Sequence, residues 1–305
     1  MNNGNEWLGT YLVWQNKEFA DLYARYNRLR VVQLGDLLIY VYRHSLMGDV
    51  IAQIYEPGAK VKIDGAFLQK LEMFLGEQSI PKAIIYSSVK LDCALPEIES
   101  GGTYIIDLSP SEEDLFSAVH PRCRTAIRKG QKAGLIFAEV VNEAGFDEWW
   151  GIYEATMVHK GVKSKLQNKE LIRSLFSKRI GRLFAVSVDD RIVAGAFLLF
   201  DSYPIYFLGG MDKNYAKLSP ANYLHWRIIL QLKEDGYPWY DLGGAAPEGK
   251  MHGPTYFKES FGGKHIESHF YVLKSSVPFK SAVFAFYETL KKVKGIIFKS
   301  RRKGL

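Results

Sequence analysis

The residues of this chain that look able to do chemistry gather late in the sequence. Trp239-Tyr240-Asp241-Leu242-Gly243-Gly244 is followed by His252-Gly253-Pro254 and then by Phe257-Lys258-Glu259-Ser260-Phe261-Gly262-Gly263. An acid, paired glycines and a lysine thus fall between two strand-like segments. Ligands of open α/β sheets collect beyond the carboxyl ends of strands, where glycine lets the backbone approach a substrate. A cation placed there stabilises an oxyanion during acyl transfer, and Lys258 is the first candidate for that role. Asp241, and Asp107 at the end of an earlier strand, are candidates to take the proton of an attacking amine. Each has a plainer alternative. A strand-end aspartate before Gly-Gly more often caps a turn through backbone amides, and that reading leads for Asp241. From the residues alone, Lys258 reads as a surface lysine after a turn, and Phe257 as a packing residue.

A second set of residues is basic. Phe116 to Ala138 contains no acid but holds Arg122, Arg124, Arg128, Lys129 and Lys132. At helical spacing Arg124, Arg128 and Lys132 share one face, which suits contact with phosphates of RNA or of a nucleotide-linked molecule, or else a solvated surface. No glycine-lysine phosphate loop, dinucleotide glycine fingerprint, HExxH pair or GxSxG elbow occurs, so the commonest signatures of nucleotide hydrolysis, hydride transfer, zinc proteolysis and serine hydrolysis are missing. The seven histidines are scattered, and Cys93 and Cys123 lack the paired spacing of a zinc site. No metal is expected, and two cysteines suit a reducing cytoplasm. Group transfer by positioning and electrostatics needs no compact nucleophile motif and stays open.

The elements that must position these residues are legible from periodicity. Apolar runs at Val31 to Leu34, Leu37 to Tyr42 and Val50 to Tyr55 around Gly35-Asp36 and Gly48-Asp49 predict a meander. A helix opening at Asp64 and closed by Gly76, then a strand at Ala83 to Tyr86, complete the first half. The second half repeats this order: Leu183 to Val188, an Asp189-Asp190 turn, Ile192 to Phe200, Ile205 to Leu208, a helix from Pro220 to Asp235 started by Ser219-Pro220, and a strand at Trp239 to Leu242. Between the halves come a strand at Tyr104 to Asp107, a helix with a capping box in Ser109-Pro110-Ser111-Glu112, a second from Pro121 to Gly134, and two more near Phe146 to His159 and Lys169 to Ile180. Strands near His265 to Leu273 follow, and Phe279, Val283, Phe286, Tyr287, Leu290 and Ile297 stripe a last helix. The expectation is an α/β fold of two tandem mixed-sheet units: 1–108 as a partial first unit, 109–275 as the catalytic unit, and 276–305 as a basic amphipathic helix and tail.

At 305 residues, 47% hydrophobic and 24% charged, the chain has material for a large core, which excludes disorder, collagen and bare coiled coil. No export signal or membrane span is visible at this stage. The net charge of +7 equals the seven cations from Lys291 to Lys303, a stretch without acid. Such a tail suits an anionic lipid surface or RNA, and otherwise solubilises.

The "DLSPSEEDLF", "HPRCRTAIRKGQKAG", "YDLGG" and "FKESFGG" segments resemble the Fem-type aminoacyltransferases, which build peptidoglycan interpeptide bridges from aminoacyl-tRNA, within the acetyltransferase-like (GNAT) superfamily. The likeness spans roughly Tyr104 to Leu273; the first half resembles the family only in element order. It implies two tandem acetyltransferase-like folds and places Phe257 and Lys258 at the aminoacyl ester; Tyr240 is a further substrate-binding candidate. It implies no cofactor beyond the aminoacyl-tRNA donor, and as acceptor a peptidoglycan precursor, nucleotide- or lipid-linked. An arginine that holds precursor phosphates in a relative would fall near Thr156 to Gly161, where this chain has His159; Lys160 or Lys163 would serve only as point charges without a bidentate fork. The expected location is cytoplasmic, with peripheral contact at the inner face of the membrane.

The segment that would cradle the pyrophosphate of CoA, Asn214 to Asn222, has no glycine, and Pro220 removes an amide. That favours an ester donor over acetyl-CoA. An acyl-CoA-dependent N-acyltransferase of an amino sugar or surface polysaccharide is the second reading. A non-catalytic module that binds RNA or a membrane surface is the third.

Overall fold

The computed structural model describes residues 12–44, 48–161, 167–245 and 253–276. Lys163, His252 and the C-terminal amphipathic helix and basic tail lie outside them. The first half holds α1 (Lys17–Asn27), the meander β1 (Arg30–Leu34), β2 (Leu37–His44) and β3 (Gly48–Tyr55), then α2 (Gly65–Glu77) and β4 (Lys82–Ser87), with β4 parallel to β3. β5 (Glu97–Asp107), α3 (Glu112–Ala118), α4 (Pro121–Lys132), β6 (Ile136–Val140), α5 (Glu143–His159) and α6 (Lys169–Ser177) follow. A second meander of β7 (Gly181–Val188), β8 (Arg191–Phe200) and β9 (Pro204–Met211) leads through α7 (Pro220–Glu234) to β10 (Trp239–Ala245), parallel to β9. The chain then makes α8 (Gly253–Glu259) and β11 (Lys264–Lys274). The order expected from periodicity, meander, helix and strand, therefore occurs twice, and in each half that last strand runs parallel to its neighbour in the meander.

Among the described residues all strands join one 11-stranded sheet in the order β1-β2-β3-β4-β11-β5-β10-β9-β8-β7-β6. β5, which follows the first half, pairs with β10 of the second; β11, at the end of the second half, pairs with β4 of the first and with β5. Each half is thus finished by a strand whose sequence lies beside the other.

Both faces of the sheet are covered. α2 buries Leu71 and Leu75 against Leu37, Ile39, Ile54 and Ile85 on one face, and α1 packs Ala20 over Leu38 and Tyr40 on the other. In the second half α4 and α7 lie on Tyr104, Ile106, Phe184, Leu198 and Tyr240, while α5 and α6 cover the opposite face with Trp149, Trp150, Tyr153 and Leu175. Each large apolar side chain so buried contributes about 1.5–3 kcal/mol against exposure. The Asp189-Asp190 turn has φ of 49° and 60°, both left-handed, as a two-residue hairpin needs.

The structure differs from the sequence expectation in several places, and α1 and β6 are elements the periodicity did not predict. The cap of α3 is Ser111, whose hydroxyl accepts from Asp114 N, so the box is Ser111 with Asp114, two residues later than expected. Gly76 lies within the last turn of α2, and Ser79 takes the left-handed conformation after it. Ser219 precedes α7 with φ of 59° and makes no side-chain cap; Pro220 alone starts that helix. Lys258 sits on α8, a two-turn helix, rather than on an open loop.

Candidate active site

β9 and β10 share one registered pair, Ile205 with Asp241. Beyond it β10 shifts register against β5 between Asp241 and Gly244, and β9 carries a bulge at Phe207, between Tyr206 and Leu208. Bulges end pairing and re-aim side chains. A cleft of about 1200 Å³ opens here, bounded by the C-terminal half of α5, β9, the start of α7, and α8. Its floor depends on glycine. A Cβ on Gly210 would stand 2.7 Å from Tyr153 Cα, so α5 reaches β9 only because that side chain is missing. Gly243 has φ of 72°, and a Cβ there would strike the carbonyl oxygen of Tyr206. Thr156 ties the same helix to the strand, accepting from Met211 N at 3.1 Å and donating to Met211 O at 3.2 Å.

Lys258 turns into this cleft. Its ammonium donates to Gly244 O at 2.6 Å and stands 5.8 Å from the centre of the Tyr206 ring. Burial pushes its pKa down to about 8, and the Asp241 carboxylate acts in the opposite direction. Beneath it lies His225 of α7, 2% exposed, with Nδ1 3.1 Å from the Tyr240 hydroxyl and its ring edge-on to Tyr206 and Phe257. Burial, and secondarily the Lys258 charge, press the His225 pKa down to about 3, so this imidazole is neutral. Burial pushes the Tyr206 phenol up to about 12. The cleft end therefore holds one cation that titrates slightly above neutrality, among neutral aromatic groups. Such a setting can polarise a carbonyl and has little capacity to take a proton at pH 7.

The other expected site residues separate into groups. Phe257, His159 and Lys160 line the same cleft as Lys258. Tyr240 lies below it and is reached through His225. Asp241 is fully buried; its Oδ1 accepts from Gly243 N at 2.7 Å and from the Thr103 hydroxyl, which fixes the left-handed turn at Gly243. Asp107 is paired with Trp239 at the opposite end of the β5–β10 ladder, and its carboxylate closes a turn on Ser109 N at 2.8 Å. The fold does not bring it to Lys258. Arg124 and Arg128 lie outside the cleft: Arg124 donates to Ser117 O and Val119 O at 2.6 and 3.0 Å, and Arg128 sits over the Phe116 ring at 5.2 Å. Arg124 lines a second pocket of about 630 Å³ on the far side of α8.

Sequence reasoning missed His225, Tyr206 and Thr156. A polar residue at a helix position that faces the core, as His225 is within Pro220 to Asp235, was the available signal. Among the described residues no group of three or more His, Cys, Asp or Glu side chains is placed to hold a metal, and no helix is long and apolar enough to cross a membrane. In the segment between β9 and α7, Asp212 Oδ1 accepts from Asn214 N at 2.9 Å and Lys213–Leu218 winds into a 3-10 helix. A carboxylate already occupies an amide there that an anionic ligand would need.

Residues 118–259 match the model of the acetyltransferase (GNAT) domain. No curated protein matches the chain in sequence. Among solved structures, FemX superposes with a TM-score of 0.66 at 13% identity, over 83% of this chain and 91% of that one. The C-terminal domain of a putative lysylphosphatidylglycerol synthetase from Agrobacterium fabrum gives 0.58 at 15%, over 89% and 95%. L-PGS from Bacillus licheniformis gives 0.57 at 12%, over 85% and 92%. At these identities the likeness is one of fold.

Proposed function

From a chain whose residues 118–259 match the acetyltransferase (GNAT) domain, we propose an aminoacyltransferase that moves an amino acid from aminoacyl-tRNA to a primary amine of a peptidoglycan precursor peptide. The observation that carries this reading is the Lys258 ammonium, half-buried at the end of the cleft where β9 and β10 lose their pairing. The "YDLGG" and "FKESFGG" segments support it through their likeness to Fem-type enzymes, as do the names of the chains that share the fold, FemX and a lysylphosphatidylglycerol synthetase domain.

The amine nitrogen attacks the ester carbonyl carbon and the carbonyl electron pair moves to oxygen. Lys258 stabilises that oxyanion. Collapse breaks the bond to the ribose oxygen, leaving an amide, and the proton lost by the amine ends on the departing ribose hydroxyl. With Asp241 bound to Gly243 N and Thr103, and Asp107 at the far end of its strand, neither carboxylate is the proton acceptor in this scheme. Proton transfer runs from amine to leaving oxygen, directly or through water. His159 and Lys160, at the α5 end of the cleft, supply positive or hydrogen-bonding character toward acceptor phosphates.

The description of the matched domain favours a second reading, transfer from acyl-CoA. Asp212, seated on Asn214 N, and Pro220, which lacks an amide, weigh against a pyrophosphate there. Lys258→Met is expected to lower turnover about a hundredfold or more, the loss of about 2.7–4 kcal/mol that follows removal of one oxyanion donor. Turnover is read by mass spectrometry of precursors incubated with charged tRNA or with acyl-CoA. Unchanged turnover removes Lys258 from the reaction, and products from acyl-CoA alone replace the donor.

A further inference from the structure

The second pocket and the helix beside it have no part in the chemistry above. α4 is 12 residues long, about 18 Å, and carries Arg122, Arg124, Arg128, Lys129 and Lys132. None of the five joins an ion pair among the described residues. The inward face of α4 holds Cys123, Ile127 and Gly130, the last so close to Tyr223 that a Cβ would come within 2.6 Å of it. What α4 offers to its surroundings is therefore charge with no large apolar residue. That suits a polyanion and gives a lipid bilayer nothing to bury.

The pocket opens at the N-terminal end of this helix. His120, Arg124, Tyr256, Glu259 and Ser260 form its walls. Tyr256 is 45% exposed, and its ring centre lies 6.2 Å from that of His120. An exposed aromatic face at the end of a cationic track is the combination that binds single-stranded nucleic acid: phosphates along the track, a base on the ring. Glu259 offers an acceptor to ribose hydroxyls or base amino groups. Tyr256 and Lys258 are two residues apart on α8, about 200° around the helix, so one short helix separates the pocket from the cleft.

We propose that the single-stranded acceptor end of the donor RNA runs along the exposed face of α4 and stacks a base on Tyr256, its terminal residue then rounding α8 to present the ester to Lys258. This rests on the aminoacyl-tRNA reading and names the surface that would serve it.

The test is binding of a short fluorescent single-stranded RNA, and of uncharged tRNA, to the full chain as salt is varied, beside binding to vesicles containing phosphatidylglycerol. With about four phosphate contacts the slope of log K against log salt for the single strand is about −3. Arg122→Gln with Arg128→Gln and Lys132→Gln flattens it by about 2, and Tyr256→Ala weakens RNA about tenfold without altering it, while Tyr256→Phe binds as the wild type does. An unaltered slope in the triple variant, or Tyr256→Ala binding like wild type, overturns the proposal. So does loss of vesicle binding in the triple variant with RNA affinity intact, which assigns α4 to a membrane. If charged tRNA is still consumed at the wild-type rate by a triple variant with unchanged RNA affinity, only the docking surface is wrong. If the chain neither binds RNA nor uses charged tRNA yet acylates from acyl-CoA, the donor assignment fails as well.

Discussion

Lys258 joins two requirements that oppose each other. Burying an ammonium destabilises it, which is why its pKa falls to about 8, yet only the protonated form stabilises an oxyanion. Turnover is therefore expected to have a descending limb with a midpoint near pH 8, moved to higher pH in Lys258→Arg, as a pH-rate profile reads directly. The same depression has a sign for stability. The folded pKa, about 8, lies below the ordinary lysine value of about 10.4, so between those two the unfolded chain binds more protons and wild-type stability rises with pH across that window. Lys258→Met removes the cost, and denaturant unfolding at pH 7 is expected to find it more stable by about 1–3 kcal/mol. A variant that is more stable but far slower separates chemistry from misfolding. Tyr240→Phe leaves the buried His225 ring without its hydroxyl partner and is expected to cost about 1–3 kcal/mol in the same measurement.

At the scale of elements, the cleft exists because two neighbouring strands separate and a helix comes close. α5 touches β9 at Gly210, and Gly210→Ala forces backbone from backbone, an overpacking cost of about 1–3 kcal/mol by denaturant titration, with turnover falling as Tyr206 and Thr156 move. Gly243→Ala meets the Tyr206 carbonyl in a left-handed turn that Asp241 and Thr103 hold in place. Gly210 shapes the cleft, and Gly243 the turn beside Lys258. Much at this scale was legible: both meanders, α2 to α7 and the strands that follow α2 and α7 come from period-two and helical spacing and from turn residues, whereas α1, β6, α8 and the parallel pairing do not. The α3 cap was misplaced because Ser109 and Ser111 both precede acids, and only the backbone path chooses between them.

The whole molecule is one sheet in which the halves exchange strands. β11 lies between β4 and β5, so neither half closes without a segment whose sequence belongs beside the other. A fragment of residues 109–276 lacks both partners of β11 and is expected to show no cooperative unfolding by circular dichroism. Restoring β5 in a fragment of residues 97–276 returns its ladders with β10 and β11, and a transition with them. Lys258 stands on α8, between β10 and β11, so the exchange also sets where the ammonium stands relative to Gly244.

The sequence by itself determined most of the element order, its repetition in two halves and the basic character of α4, and it nominated Lys258 and Phe257 as candidates, because these rest on local periodicity, charge and a resemblance carried by short motifs. The tertiary structure alone decided that His225 and Tyr206 surround that lysine, that Asp241 holds a turn, that Asp107 stands at the wrong end of its strand, and that β11 enters the other half. Those are matters of register and of contact between residues far apart along the chain, where one pairing shift moves a side chain to another face and no neighbouring residue records the outcome.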